Sequence, residues 1–437
     1  MSNINLDINN FGPINKANIE LKKLNIVSGV NGSGKTTASK LLYCFLTSNS
    51  NEKEYLANIS IDERFGSIIT DLHQNAEFDS KTLIKLNKLF IKFPGLTDKN
   101  YNDKLKTHIS SLKKIIDESQ MKNKVNYLEK LNTIEYALEV NSMEHRKFFD
   151  VSNVLLRTEF KIKDLKLDNP NVQIYGKQND YEFSYGLDFH DSKLGFITDK
   201  RDLDYLNVKN IIYIDSPSIF NTNTIENTLI LKNQPYHLRF LSRMMNVPEN
   251  NEDVHDSIFN QKLDEFKEKI TNLIGGYIYY DEDEEEFMFK KGDDEYSMKN
   301  TASGIKQMGI IQRLLSNRTL SENSFLIIDE PEVSLHPEWQ IKFAEILVLL
   351  ANELNCTVYL NTHSPFMAEA IEVYSKYYRV YDETAFYLTE KVENEEKYDY
   401  TLMDDEDIID VYNNLGYSYN TLNDLRFKTE LRDELGE

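Results

Sequence analysis

Gly29-Val30-Asn31-Gly32-Ser33-Gly34-Lys35-Thr36 is the stretch that most restricts how this chain can fold. It follows a short apolar run, Leu24 to Ser28, and leads into a segment of helical character, Thr36 to Leu46. Strand, glycine-rich loop and helix in that order let successive backbone N–H groups turn inward, while the helix N-terminus adds the positive end of its dipole. The result is a cradle for phosphate groups. The pattern is complete and correctly framed between strand and helix, which sets it apart from a chance glycine-rich turn. Lys35 supplies a point charge for the β- and γ-phosphates, and the Thr36 hydroxyl is a ligand for Mg²⁺. ATP with Mg²⁺ is therefore the expected pair of bound species.

Three further segments complement that loop. Phe325-Leu326-Ile327-Ile328-Asp329-Glu330 reads as a buried strand ending in two carboxylates. In a parallel sheet its end would meet the loop at the carboxyl edge, where ligands bind. Asp329 would hold Mg²⁺, directly or through water, and Glu330 would polarise the attacking water. An acidic pair after a strand is by itself equally a helix cap or a turn; the phosphate loop in the same chain favours the catalytic reading. Thr357 to Thr362 is another β-rich run, stopped at His363-Ser364-Pro365, and a histidine just past a strand end can sense a γ-phosphate. Thr301 to Gln307 precedes a helix expected over Met308 to Leu315. Ser303-Gly304 alone would be an ordinary helix cap.

The rest of the chain supports an α/β organisation. Ile4, Leu6 and Ile8, then Ala17, Ile19 and Leu21, alternate around a turn at Asn10 to Pro13 and predict a β-hairpin. Residues 51–164 are poor in glycine, with apolar residues at helical spacing (Ile109, Leu112, Ile115, Ile116), and read as a helical insertion. Val172 to Tyr213 returns to β-type alternation, and a second helical block occupies 221–273. Gly275 to Met298 predicts a hairpin around the acidic run Asp281 to Glu286, which reads as a solvated turn. The division that follows is a core formed by 1–50, 165–220 and 274–390, insertions at 51–164 and 221–273, and a C-terminal strand and helix over 391–437.

Composition narrows the function. A formal charge of −22 makes the average surface repel nucleic acid, so any phosphate contact must come from a local patch. Lys81, Lys85, Lys88 and Lys92 share one helical stripe and could form such a patch, although a solvated face over Leu83, Leu86 and Leu89 is the preferred reading. No apolar run approaches the ~20 residues of a membrane span. The two cysteines, Cys44 and Cys356, provide no disulfide framework, and with no apolar leader a cytoplasmic location is expected.

In order and chemistry these segments resemble the ABC ATPase superfamily: Walker A at 29–36, signature at 302–306, Walker B at 325–330 and the switch histidine at 363. Asn10-Phe11-Gly12-Pro13-Ile14, Asp329-Glu330-Pro331-Glu332 and Thr362-His363-Ser364-Pro365 look most like SMC-related and OLD-type bacterial ATPases, and the overall plan looks like the ATPase subunits of the Septu and PARIS defence systems. The resemblance implies an ABC-type P-loop ATPase head with an N-terminal antiparallel β portion and helical insertions. It assigns Asn31, Gly32, Ser33, Gly34, Lys35, Thr36 and Thr37 to nucleotide binding, Thr36 and Asp329 to Mg²⁺, and Glu330 and His363 to catalysis. It further implies a homodimer sandwiching two ATPs, with Ser303 and Gly304 donating to the partner's γ-phosphate. Ile305 stands where many members have a second glycine, and no Q-loop glutamine is assignable.

OLD nucleases carry a nuclease domain after the ATPase, whereas Asp404 to Asp410 here looks like the capped start of a surface helix. A nuclease or toxin effector is thus expected on a separate protein. The function so read is an ATP-hydrolysing switch in DNA-related or phage-defence processes, with the ATPase subunit of a membrane transporter as the alternative.

Overall fold

A computed structural model describes residues 3–50, parts of 64–72, 101–119, 123–140, 144–160, 170–178, 181–190, 193–198, 210–215, 219–220, 235–248, 257–281 and 286–404, with a few single residues between them. The lysine stripe at 81–92 and the acidic segment beyond Asp404 lie outside the described residues.

The chain opens with the expected hairpin: β1 (Asn3–Phe11) and β2 (Ile14–Leu21) pair antiparallel, closing on Phe11 opposite Ile14. β3 (Leu24–Ser28) is buried along its whole length, as a strand covered on both faces must be, and feeds the glycine-rich loop and α1 (Lys35–Ser48). Three helices of the first insertion follow: α2 (Tyr101–Glu118), α3 (Lys124–Val140) and α4 (Glu144–Phe160). The chain then forms β4 (Asn171–Gln178), β5 (Tyr181–His190), β6 (Lys193–Thr198) and β7 (Ile211–Ile214), followed by α5 (Tyr236–Met245) and α6 (Ser257–Ile274).

The predicted hairpin over 275–298 is a three-stranded antiparallel sheet of β8 (Tyr277–Asp281), β9 (Glu286–Lys291) and β10 (Asp294–Ser297). β10 carries the sequence Asp-Glu-Tyr-Ser and is mostly exposed, so it has no apolar alternation to announce it. The next helix, α7 (Ser303–Ser316), starts five residues before the expected Met308, because its polar first turn is stabilised by its place in the fold and not by an apolar stripe. β11 (Phe325–Asp329), α8 (Pro337–Glu353), β12 (Thr357–Thr362), α9 (Pro365–Tyr377), β13 (Thr384–Lys391) and β14 (Tyr398–Met403) complete the described chain.

Eleven strands form one sheet in the order β6-β5-β4-β1-β2-β14-β13-β3-β12-β11-β7. Its β13-β3-β12-β11-β7 portion is parallel, while β6-β5-β4-β1-β2 is antiparallel. β14, from the segment 391–437, joins the two parts as an inner strand.

Alternating side chains of the parallel strands divide the core. Val27, Tyr213, Ile327, Tyr359 and Tyr387 face a cluster with α1 and α4. Ile26, Ile214, Ile328, Leu360 and Phe386 face the cluster built with α6, α7, α8 and α9. The free thiols Cys44 and Cys356 are buried in opposite clusters. Helices α2 and α3 bury a separate core of their own, including Leu105, Ile109, Leu112, Ile116, Leu131 and Ile134. None of the helices of the described residues is long and apolar enough to cross a membrane.

Candidate nucleotide site

The parallel strands β3, β12, β11 and β7 end side by side, and every element of the expected constellation except the signature leaves the sheet at this edge. Gly32 and Gly34 have φ of 81° and 92°, a left-handed backbone that glycine adopts without strain. At Gly34 a Cβ would also stand 2.6 Å from Cγ1 of Ile14, so the hairpin turn presses against the loop. Val30, Asn31 and Gly32 are exposed at its tip, whereas Ser33, Gly34 and Lys35 are buried.

Lys35 Nζ donates to the carbonyls of Gly29 and Val30, 2.9 Å from each. Burial pushes its pKa down, opposed by Glu330, Asp329 and Glu332, so the ammonium sits among carboxylates that favour its charge.

Thr36 and Asp329, the two residues expected to hold the metal, are in direct contact: the Thr36 hydroxyl donates to Asp329 Oδ2 at 2.7 Å. Asp329 is deeply buried, which raises its pKa, against the hydrogen bonds from Thr36 and Asn361. Asn361 Nδ2 donates to Asp329 Oδ1 at 2.8 Å and to Ser39 Oγ at 3.0 Å, and Ser39 Oγ lies 2.9 Å from the Tyr213 hydroxyl. This buried network orients the carboxylate from three elements, α1, β7 and β12. A hydroxyl beside a carboxylate is a hard-oxygen donor set of the kind Mg²⁺ takes, and Mg²⁺ typically needs only one or two such side chains with phosphates and water completing its octahedron. Among the described residues there is no cluster of three or more His, Cys, Asp or Glu able to hold a metal. The Thr36–Asp329 pair fits the oxygen donors that Mg²⁺ takes.

Glu330 follows in a left-handed conformation, φ 49° and ψ 55°, held by its N–H donating to Asn361 O at 2.9 Å. Such a backbone is costly for a non-glycine residue and recurs at functional sites. His363 leaves the neighbouring strand so that its Nδ1 lies 3.6 Å from Glu330 Oε1 and 3.3 Å from Glu332 Oε1. The structure therefore brings Lys35, Thr36, Asp329, Glu330 and His363 to one edge.

Ser303 and Gly304 stand apart from them at the start of α7. Ala302 occupies the cap position and offers no side-chain acceptor, so Ser303 is the first helical residue and not the cap. A Cβ on Gly304 would meet Trp339 at 3.2 Å and Leu335 at 3.3 Å, so glycine permits the close seating of this helix start.

Several contributors carried no local signal. Asn361 is one more polar residue in a β-run. Asp215, at the end of β7, accepts from His237 Nε2 at 2.9 Å, while His237 Nδ1 lies 2.6 Å from Glu159 Oε2 and its N–H donates to Glu159 Oε1 at 3.1 Å. Burial opposes a charge on His237, but the two carboxylates outweigh it and lift its pKa to about 9. Asp215 is correspondingly held below its ordinary value: burial works to raise it, and the His237 hydrogen bond and charge prevail. This ion triad ties α4 and α5 of the two insertions to the strand beside Asp329. At its far end α5 is held as well, by Arg313 Nε on Met245 O at 2.9 Å and Asn317 Nδ2 on Met244 O at 2.6 Å, from the last turn and the C-cap of α7. A spacing pattern cannot disclose such contacts, since Glu159, Asp215 and His237 meet only in three dimensions.

A parallel α/β sheet whose carboxyl edge carries a complete glycine-rich phosphate-loop sequence, a hydrogen-bonded Thr–Asp pair and a following glutamate defines a P-loop ATPase. Residues 1–368 match the family model described as AAA ATPase domain, and the chain belongs to that family. It is accordingly an ATP-hydrolysing enzyme.

Solved structures similar to it include an SMC head bound to the C-winged helix domain of ScpA (TM-score 0.44, 12% identity, 93% of this chain and 98% of that one). Another is the SMC head domain from Thermotoga maritima (TM-score 0.41, 10% identity, 92% of this chain and 99% of that one). A third is an Smc head with an extended coiled coil bound to the C-terminal domain of ScpA, from Pyrococcus furiosus (TM-score 0.40, 11% identity, 98% and 100% covered). Comparison with curated proteins gives no match.

Proposed function

We propose that this chain is an ATP-driven switch: two copies close around two Mg²⁺-bound ATPs, and hydrolysis opens them, signalling to a separate effector in a DNA-related or phage-defence process. The observation that supports this most directly is the contact between Thr36 and Asp329 with Glu330 and His363 beside it, a complete hydrolytic half-site. Lys35 and the loop amides bind the phosphates, Thr36 and Asp329 would hold Mg²⁺, which would supply charge neutralisation there, Glu330 polarises the attacking water, and His363 contacts the γ-phosphate.

Support for closure comes from the rim. Val30 in the loop after β3, Val333 in the 3₁₀ turn after β11 and Phe366 in the first turn of α9 after β12 are large apolar residues, 45%, 68% and 50% exposed. Apolar side chains at the mouth of a charged site suit a surface covered by another protein. Ser303, exposed at the start of α7, would serve an anion from a second copy. The phage-defence reading rests on the resemblance of the SMC- and OLD-type motifs, and DNA contact would need a local patch on this acidic chain. Neither the family match nor the architecture favours the transporter-subunit alternative.

The experiment is the mass of Glu330→Gln by light scattering with and without Mg-ATP. A doubling of mass that depends on ATP, and its loss in Ser303→Arg, is expected. A monomer under both conditions would overturn closure.

A further inference from the structure

We propose that Glu332 is a positioning residue for hydrolysis: its buried carboxylate clamps the loop that leaves β12 and so fixes His363 relative to Glu330. The inference rests on the reading of His363 as the residue that meets the γ-phosphate.

Glu332 lies three residues beyond β11, in the single 3₁₀ turn Pro331–Ser334, and its side chain is 3% exposed. One oxygen, Oε1, receives the Thr362 hydroxyl at 2.7 Å, the His363 N–H through a short bond and the Ser364 N–H at 3.1 Å. His363 Nδ1 stands 3.3 Å from the same oxygen, though not aligned to hydrogen-bond with it. Three successive residues are thus gathered on one acceptor. With two N–H groups and a side chain fixed, the peptide planes on either side of His363 have no freedom to rotate, and the direction of its Cα–Cβ bond is set. Ser364 continues the restraint: its hydroxyl donates to Gln340 Oε1 at 2.6 Å and caps α9 by accepting from Met367 N–H at 3.3 Å.

The other end of the clamp is equally constrained. The turn holding Glu332 begins at Glu330, and the Val333 N–H returns to Glu330 O at 3.3 Å. Glu330 is also held by its own N–H on Asn361 O at 2.9 Å, so the Glu332 carboxylate is presented from a fixed turn and its removal acts on the His363 loop, not on Glu330.

Stability alone does not account for a glutamate here. Oε2 is buried without a hydrogen-bond partner among the described residues, and a half-satisfied buried carboxylate is costly. A charged acceptor does, however, bind its donors more tightly than a neutral one, which suits a group whose task is precision.

The test uses the full chain and compares Glu332→Ala, Glu332→Gln, His363→Ala and the double variants Glu332→Ala/His363→Ala and Glu332→Gln/His363→Ala, reading fluorescent-ATP affinity and the single-turnover hydrolysis rate. Glu332→Ala is expected to hydrolyse about 100-fold more slowly and Glu332→Gln, which keeps one acceptor oxygen, about 10-fold more slowly, with ATP affinity within about twofold of wild type. In the His363→Ala background neither substitution should slow hydrolysis further by more than about twofold. If Glu332→Ala does not fold, the Gln variant and Thr362→Val, which removes one donor, carry the comparison. Losses that multiply in the double variant, or affinity that falls in step with rate, would overturn the clamp while leaving His363 in its role. A His363→Ala protein as fast as wild type would remove both readings.

Discussion

Thr36 and Asp329, 293 positions apart in the chain, are joined by a 2.7 Å hydrogen bond from hydroxyl to carboxylate. The bond pins the first turn of α1 to the end of β11 and keeps the two oxygen groups together before any metal binds. Thr36→Ala should therefore weaken ATP binding by about 10- to 100-fold with Mg²⁺ present and hardly at all with EDTA. Nucleotide titration under both conditions decides it; an equal loss in EDTA would show that Thr36 acts on the loop and not on the metal.

Glu330 follows Asp329 at the end of β11 and lies 3.6 Å from His363 Nδ1, and it is the residue proposed as proton acceptor. Changing it to Gln should leave ATP affinity within about threefold of wild type and reduce turnover by about 10²- to 10⁴-fold, the usual contribution of a positioned general base. Phosphate release in a single turnover measures this directly, and undiminished turnover would exclude Glu330 from the role.

Asn361 holds one oxygen of Asp329 and, through its own carbonyl, the N–H of Glu330. Asn361→Ala removes the side-chain bond while keeping the backbone one. Because that bond helps offset the burial that raises the Asp329 pKa, its loss should favour the protonated acid and raise the Mg²⁺ concentration for half-maximal turnover about tenfold. A Mg²⁺ titration of activity is the check, and an unchanged midpoint would refute it.

His237 makes stability depend on pH. Its pKa is raised from 6.5 to about 9 in the folded chain, so the folded state holds the proton more tightly than the unfolded one. The stabilisation is fully present below pH 6.5 and is lost as pH rises through about 9. A shift of this size corresponds to at most about 3 kcal/mol. The melting temperature of wild type should fall across that window, whereas His237→Gln should melt lower at pH 6.5 and vary less with pH. Parallel pH profiles for the two proteins would disprove the assignment.

The legible part of this protein is the part whose instructions are local. A loop of glycines at 29, 32 and 34 ahead of Lys35 and Thr36 states its own backbone conformation, and β3, β11 and β12 declare themselves by short runs rich in apolar and β-branched residues, buried almost throughout in a sheet covered on both faces. The β1–β2 hairpin was equally plain from its alternation and its Gly12-Pro13 turn. These features were sufficient to expect Lys35, Thr36, Asp329, Glu330 and His363 as a set.

What the tertiary structure decided was which polar residues meet. Asn361 and the triad of Glu159, Asp215 and His237 are unremarkable letters in sequence, and their significance, like the contacts of Glu332, comes from strand order and helix packing, which bring residues 32 and 78 positions apart within reach of one another. The same holds for β14, inserted between β2 and β13, and for β10, an exposed strand recruited by pairing with β9. Local sequence sets backbone preference and which face is apolar. Only the assembled sheet with its packed helices, by burying charged groups far from water, fixes which partners those charges must find.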